Sequence, residues 1–199
     1  MDKNKKRIEG EPLSAAHLKP AKLLIQKLFG EKLGPVTAVY RNKGIAFFEG
    51  AATWIDEGGH RSYIQLKKGF KKGAYLRIYK RDEILAHEMV HVMRAHLNSN
   101  KYEEVFAYLT SASSFRRYFG PIFRHSFEPI ILLFSLPLFF WTALPLILLL
   151  VFFLGRLVFL QREFNYARAQ IRLLLKPGEN PLKILVRLND AQIDGFANR

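Results

Sequence analysis

From Pro129 to Gly155 the chain reads PIILLFSLPLFFWTALPLILLLVFFLG, with no charged side chain. The hydrocarbon core of a bilayer is about 30 Å thick and is crossed by roughly 20 apolar helical residues. In a chain of 199 residues, a helix apolar on all sides lacks partners to cover it. The run is therefore expected to insert into a membrane. Pro137 and Pro145 interrupt it, and Trp141, a residue type that favours the interface, sits in its middle. Arg116, Arg117 and Arg124 precede it, while Arg156, Arg162 and Arg168 follow it. Positive charge marks cytoplasmic flanks. Two arrangements satisfy these facts: a helical hairpin with Trp141 and Thr142 near its tip, or one long tilted helix.

The opening residues, MDKNKKRIEGEP, are charged and carry no apolar signal-peptide stretch. The portion before the run is expected to stay in the cytoplasm, giving an integral protein of the cytoplasmic (inner) membrane with a cytoplasm-facing domain, unless the run acts as a reverse signal anchor. There is no cysteine, which excludes disulfides, thiolate metal sites and a cysteine nucleophile. A net charge of +14 would suit nucleic acid, but no nucleic-acid-binding motif accompanies it, and no such partner is expected. The cations gather in the N-terminal tail, in Lys67-Lys68-Gly69-Phe70-Lys71-Lys72 and beside the apolar run. Near a membrane each contributes about 1 kcal/mol toward anionic lipid headgroups. Phe70, between lysine pairs, fits either a hairpin tip dipping into the interface or an exposed turn kept soluble by its lysines.

The expected organisation is a basic tail (1–12), a folded domain (13–125), the apolar segment (126–160), and a basic helix with a C-terminal strand and helix that pack back on the domain (161–199). The fold class is α+β. Residues 14–29 predict an amphipathic helix opened by Ser14 and stopped by Gly30, with Pro20 able to limit it to its second half. VTAVY (36–40) and IAFFEGAATWI (45–55) read as strands, Glu57-Gly58-Gly59 as a turn, and SYIQL (62–66) with AYLRIY (74–79) as a hairpin. A helix from Glu83 to Leu97 with Asp82 as N-cap, the break Asn98-Ser99-Asn100, and a helix from Tyr102 to Ser111 follow. After the run, residues 156–176 continue as a helix. LKILVRL (182–188) is a strand candidate, and Asn189 or Asp190 caps a last helix.

The chemistry lies in ILAHEMVHVM, residues 84–93. His87 and His91 are four apart on a helix, so they differ by only about 40° in direction and both imidazoles can reach one divalent ion. Glu88 is about 100° around the helix from His87. From there a carboxylate can reach a water on the metal without ligating the metal itself. Metal-assisted hydrolysis needs this arrangement: the metal acidifies water and polarises a carbonyl, and the carboxylate takes the water's proton and delivers it to the leaving amine.

At this point the chain resembles the zincin metallopeptidases, the HExxH superfamily. The resemblance rests on His87-Glu88-Met89-Val90-His91, on the uncharged flanks Leu85, Ala86, Val92 and Met93, and on AYLRIY, which stands where zincins place an edge strand. It implies a small zincin-like domain, a few-stranded sheet beside an active-site helix pair, with zinc on His87 and His91. It also implies Glu88 as general base and acid, and an edge strand that pairs with extended peptide. A third ligand is required. The metzincin position six residues beyond the second histidine is Leu97, so that pattern fails. His96 points to the other side of the helix and is read as structural or surface. Gluzincins place a glutamate on a following helix, often as E-x-x-A, and Glu104-Val105-Phe106-Ala107 supplies it. HtpX-like membrane metallopeptidases carry a similar E-x-x-A-D. Here Tyr108 replaces that aspartate and the linker after His91 is short.

Glu104 is the favoured third ligand and Glu103 the competitor. Tyr108 either donates to an oxyanion or ligand or simply packs. Arg94 either orients a glutamate, contacts substrate or is solvated. The expectation is a membrane-bound zinc metalloendopeptidase acting on peptides or proteins, membrane proteins among them. The alternatives are an inactive zincin-like scaffold that binds partners, and a basic membrane-associated protein whose motif is accidental.

Overall fold

Ser14 opens the first helix by accepting from the amide of His17 at 3.4 Å, and Gly30, left-handed at φ 70°, closes it. The computed structural model describes residues 10–46, 49–55, 62–75, 78–125, 127–137 and 142–197. In chain order the elements are β1 (Glu11–Pro12), α1 (Ala15–Phe29), β2 (Thr37–Tyr40), β3 (Ala51–Ile55), β4 (Ser62–Leu66), β5 (Ala74–Tyr75), β6 (Tyr79–Lys80), α2 (Arg81–Arg94), α3 (Glu103–Tyr108), α4 (Ser114–Phe119), α5 (Glu128–Ser135), α6 (Leu144–Leu174), α7 (Leu182–Leu185) and α8 (Asp190–Ala197). The protein is mixed α+β. Pro20 does not shorten α1. It lies in the second turn, where it removes one backbone bond, and buried Ala21, Ile25 and Phe29 hold the helix on the core.

Among the described residues the main sheet has four strands in the order β1-β2-β4-β3. β1 is antiparallel to β2, β2 parallel to β4, and β3 antiparallel to β4 with Thr53 opposite Ile64. The last residues of the expected basic tail, Glu11 and Pro12, therefore belong to the sheet. Of the strand expected over 45–55, the described part begins at Ala51, and before it the Ala46 amide donates to the Glu49 carboxylate at 3.1 Å. Glu57-Gly58-Gly59 lies outside the described residues, as does Trp141.

The hairpin expected from SYIQL and AYLRIY does not form. β4 pairs with β2 and β3, while β5 pairs with β6 in a separate two-stranded ribbon. Between them Lys68–Lys72 winds into a 3₁₀ turn ended by Gly73 at φ 87°. Phe70 is 1% exposed, with its ring centroid 5.2 Å from that of Tyr75. Phe70 is a core residue, so neither reading of it as an interfacial or exposed tip holds.

The strand expected over 182–188 is the short helix α7. Its buried side chains, Leu182, Leu185 and Val186, follow the three- and four-residue spacing of a helix, and Ile184 faces out. Asn189 caps α8 reciprocally: it accepts from the amide of Gln192, and the Gln192 side chain accepts from the amide of Asn189, each at 2.9 Å.

One core unites the chain before and after the apolar run. Ile25 and Phe29 of α1, Leu85 and Met89 of α2, Phe106 of α3, Phe164 and Ala167 of α6, Leu185 of α7 and Ile193 of α8 are all buried in it. Phe106 is its junction, edge-on to Phe29 at 6.3 Å and to Phe164 at 5.1 Å. Among the described residues the apolar run lies in two helices and not in one. It forms α5 and the first part of α6, with Pro129 and Pro145 in the opening turns, where proline is tolerated. Arg156 of α6 grips Glu128 at the start of α5 through Nη1 and Nη2, at 2.7 and 2.6 Å. The run thus leaves and returns at one place. Among the described residues α6 is the one helix long and apolar enough to cross a membrane.

Candidate metal centre

Helix α2 has no glycine or proline and carries Asp82 and Glu83 in its first turn, where acids favour the helix dipole. Its start precedes the expected position: Lys80 occupies the N-cap without a side-chain bond, and Ala95–Leu97 finish as a 3₁₀ turn. Leu85, Ala86, Met89 and Val90 bury one face. His87, His91 and Arg94, at i, i+4 and i+7, form a stripe along a neighbouring face. Asn98, left-handed at φ 48°, turns the chain toward α3, which brings Glu103 and Glu104 beside that stripe.

The two Nε2 atoms of His87 and His91 are 3.3 Å apart. One oxygen of Glu104 lies 3.6 Å from His87 Nε2 and the other 3.5 Å from His91 Nε2. Tetrahedral zinc with bonds of about 2.0–2.1 Å separates its ligand atoms by about 3.3–3.4 Å. The two imidazoles already stand at that spacing and the carboxylate is within a small rotation of it. These three side chains could hold a metal ion. His96 is apart from them, in the 3₁₀ turn after α2.

Glu103, the rival ligand, is committed elsewhere. Its Oε1 accepts from Arg94 Nε at 2.7 Å, and its Oε2 lies 3.7 Å from His91 Nδ1, behind the ring. Arg94 is 1% exposed, with its guanidinium 4.0 Å from the Phe106 ring centre and Nη1 donating to the carbonyls of Val186 and Leu188 at 2.8 and 3.2 Å. Of the three expectations for Arg94, orientation of a glutamate is the one its contacts match. It is not solvated, because α3 and the turn after α7 close over it.

Glu88 is not one of the trio, but it lines the same cavity. Thr53 of β3 donates from Oγ1 to Glu88 Oε2 at 2.7 Å and lies 3.2 Å from the Glu88 carbonyl. β3, and not AYLRIY, is the strand tied to α2 at this point. It ends the sheet order, and its outer edge carries no strand among the described residues. Thr53 escaped the sequence reading, since a lone threonine so far from the motif carries no spacing signal. Tyr108 lies edge-on to the His87 ring at 4.7 Å. Gly120 permits this, because a Cβ there would come within 2.2 Å of Tyr108 Cδ1.

Burial governs the titration of the cluster in the absence of metal. Burial, with the charge of His91 beside it, pushes His87 well below its usual range. Burial also opposes charge on His91, but Glu103, Glu104 and Glu88 outweigh it and lift His91 to about 9. Burial raises Glu104 to about 7 against the pull of His91. Glu88 is raised by burial, with His91 and the Thr53 hydroxyl opposing. The Tyr108 phenol is raised by burial and by Glu104, so it remains a donor. A cavity of about 840 Å³ is lined by Thr53, His87, Glu88, His91, Glu104 and Tyr108, and extends to Phe123, Arg124, His125 and Pro129 at the base of the apolar run.

Comparison with protein-family profiles, with curated proteins and with solved structures gives no match.

Proposed function

We propose that the protein is a membrane-bound zinc metallopeptidase of zincin type, with its site on the cytoplasmic side. The observation that carries this reading is the 3.3 Å spacing of two imidazole Nε2 atoms with a carboxylate beside both, while a second carboxylate, Glu88, stays off the trio on the wall of the same cavity. Two imidazoles and one carboxylate suit zinc with an open fourth position. When bound, zinc lowers the pKa of water and polarises a carbonyl.

The chain's own residues do the rest. His87, His91 and Glu104 hold the ion. Arg94 fixes Glu103, which fixes His91 from behind, as carboxylates orient ligand imidazoles elsewhere. Glu88, its pKa raised by burial, accepts the proton of the attacking water and passes it to the leaving amine as the C–N bond breaks. The Tyr108 hydroxyl, held protonated beside His87, donates to the carbonyl oxygen as it gains charge. The outer edge of β3 takes an extended peptide backbone.

Hydrolysis of a peptide library by the purified full chain tests this, beside Glu88→Gln. The expected result is cleavage by the wild type and its loss in Glu88→Gln with zinc retained. A wild type that holds zinc and cleaves nothing is instead a peptide-binding scaffold. One that holds no metal carries the motif by accident.

A further inference from the structure

The same core contains helices from both sides of the apolar run. Arg94 bonds to Val186 and Leu188, and Asn180 donates to the Leu28 carbonyl at 2.8 Å. Glu128 and Arg156 close the base of the run, and Phe123 stacks edge-on against Phe153 at 5.4 Å beside them. Both ends of the run are thus bound to one face of one folded unit. From Gly155 to Leu144, helix α6 projects about 17 Å beyond that base. One leaflet of hydrocarbon is about 15 Å, half of the 30 Å core. Past Arg156, toward its C-terminus, one face of α6 is covered: Leu157, Leu160, Phe164, Ala167 and Ile171 are buried in the domain, while Val158 and Phe159 stay exposed on the other face. The apolar length of α6 suffices to cross a bilayer, but only its first part projects.

The projecting part has the surface of something solvated by lipid. Ile147, Leu148, Leu150, Val151, Phe152 and Leu154 are all exposed. They sweep about 200° of the helix, and Leu133 and Phe134 expose the flank given by α5. A protein groove covers one stripe of a helix, whereas here exposed apolar side chains take up more than half the circumference of α6 and continue onto α5. Phe115, Tyr118 and Phe127 are exposed, as are Arg117 and, about two turns past Gly155 on α6, Arg162. Aromatic rings and cations are what a headgroup layer accepts. The cavity reaches the base of the run, since Phe123, His125 and Pro129 are among its lining residues.

We propose that the apolar stretches 129–137 and 142–155 form a re-entrant wedge that enters a single leaflet and holds the Phe123–His125 side of the His87–Glu104 cavity at the headgroups. The wedge does not cross the membrane. If the peptidase reading stands, on which this consequence rests, the substrate is the stretch of a membrane-anchored polypeptide next to the lipid surface of that leaflet.

The absence of cysteine makes the test direct. Single cysteines replace Leu144 at the top of α6, His125 in the cavity lining and Leu174 on the far side of the domain. Each is labelled with a fluorophore, and the full chain is bound to phosphatidylcholine–phosphatidylglycerol vesicles carrying nitroxide lipids. The expected result is strongest quenching of Leu144→Cys by nitroxides at the chain ends, of His125→Cys by nitroxides near the headgroup, and none of Leu174→Cys. Reaction of Leu144→Cys with an impermeant thiol reagent sealed inside the vesicle would show a crossing and overturn the proposal. So would absence of lipid quenching at Leu144→Cys. On the same vesicles, a peptide tethered to lipid by a short linker is expected to be cleaved on the order of tenfold or more faster than the free peptide, from its higher effective concentration. Equal rates would overturn the substrate assignment. Cleavage of neither with the depth profile intact would count against the peptidase and support the wedge.

Discussion

Arg94, buried at the end of α2, donates from Nε to Glu103 Oε1 at 2.7 Å, and this pair stands behind the His91 ring. It separates the roles of adjacent glutamates: Glu103 faces the arginine, and Glu104 faces the Nε2 atoms of both histidines. Glu104→Gln is therefore expected to abolish stoichiometric metal binding, while Glu103→Gln keeps one ion at 10–100-fold lower affinity, the usual cost of losing a residue that orients a ligand. Competition with a zinc chelator measures both. Equal loss in the two variants would contradict the assignment.

Arg94→Met leaves the half-buried Glu103 carboxylate without its buried partner. Breaking a buried pair in this way costs about 3–5 kcal/mol. Denaturant titration of the two proteins side by side is expected to show a destabilisation of that order. A change below about 1 kcal/mol would mean that the pair behaves as a surface one.

The Thr53 hydroxyl, 2.7 Å from Glu88 Oε2, favours the ionised carboxylate and lowers its pKa against the effect of burial. Thr53→Val removes that hydrogen bond at nearly constant volume. The acid limb of kcat/KM, assigned to Glu88 as base, is expected to move to higher pH. A limb that stays in place or falls would remove Glu88 from that role.

In metal-free protein the His91 imidazole titrates at about 9, above its ordinary 6.5. Between these values the folded chain holds a proton that the unfolded chain has lost, so stability falls as pH rises. The contribution is complete below 6.5 and gone above about 9. Glu104, at about 7 against 4.5, gives a fall in the same direction at lower pH, opposed there by His87, whose pKa is lowered. The alkaline window thus belongs to His91. Chelator-treated protein is expected to lose Tm between pH 6.5 and 9, and His91→Gln to flatten the loss.

Helix α3 is held from the far end of the chain. The Asp190 carboxylate accepts from the amides of Asn100 and Lys101 at 2.8 Å and of Tyr102 at 3.3 Å, and Tyr102 donates its hydroxyl to Asp194 at 2.5 Å. Asp190→Ala is expected to cost about 0.5–2 kcal/mol, as for a lost helix cap, and to weaken metal binding through Glu104. Unchanged affinity would mean that α3 needs no tether.

The residues of the candidate site that were legible in the sequence share one helix or its neighbour. His87, Glu88 and His91 obey a periodicity that any helix imposes, and Glu104 follows after a short linker that leaves few placements. What escaped depends on distant packing. Thr53 reaches Glu88 only because β3 ends the sheet, and no local pattern announces strand order. Arg94 looked free because the turn that covers it, Val186 to Leu188, lies beyond the apolar run. AYLRIY alternates as a strand does, yet the buried Phe70 and the left-handed Gly73 bend the chain before it can pair with β4. LKILVRL satisfied both periodicities over too few residues to separate them.

The metal content of the purified full chain, wild type beside His87→Ala and Glu104→Ala, tests the central claim most directly. The account predicts one zinc per wild-type chain and none in either variant, with all three folded by circular dichroism. A folded wild type without zinc, even after zinc is supplied at neutral pH, would contradict it.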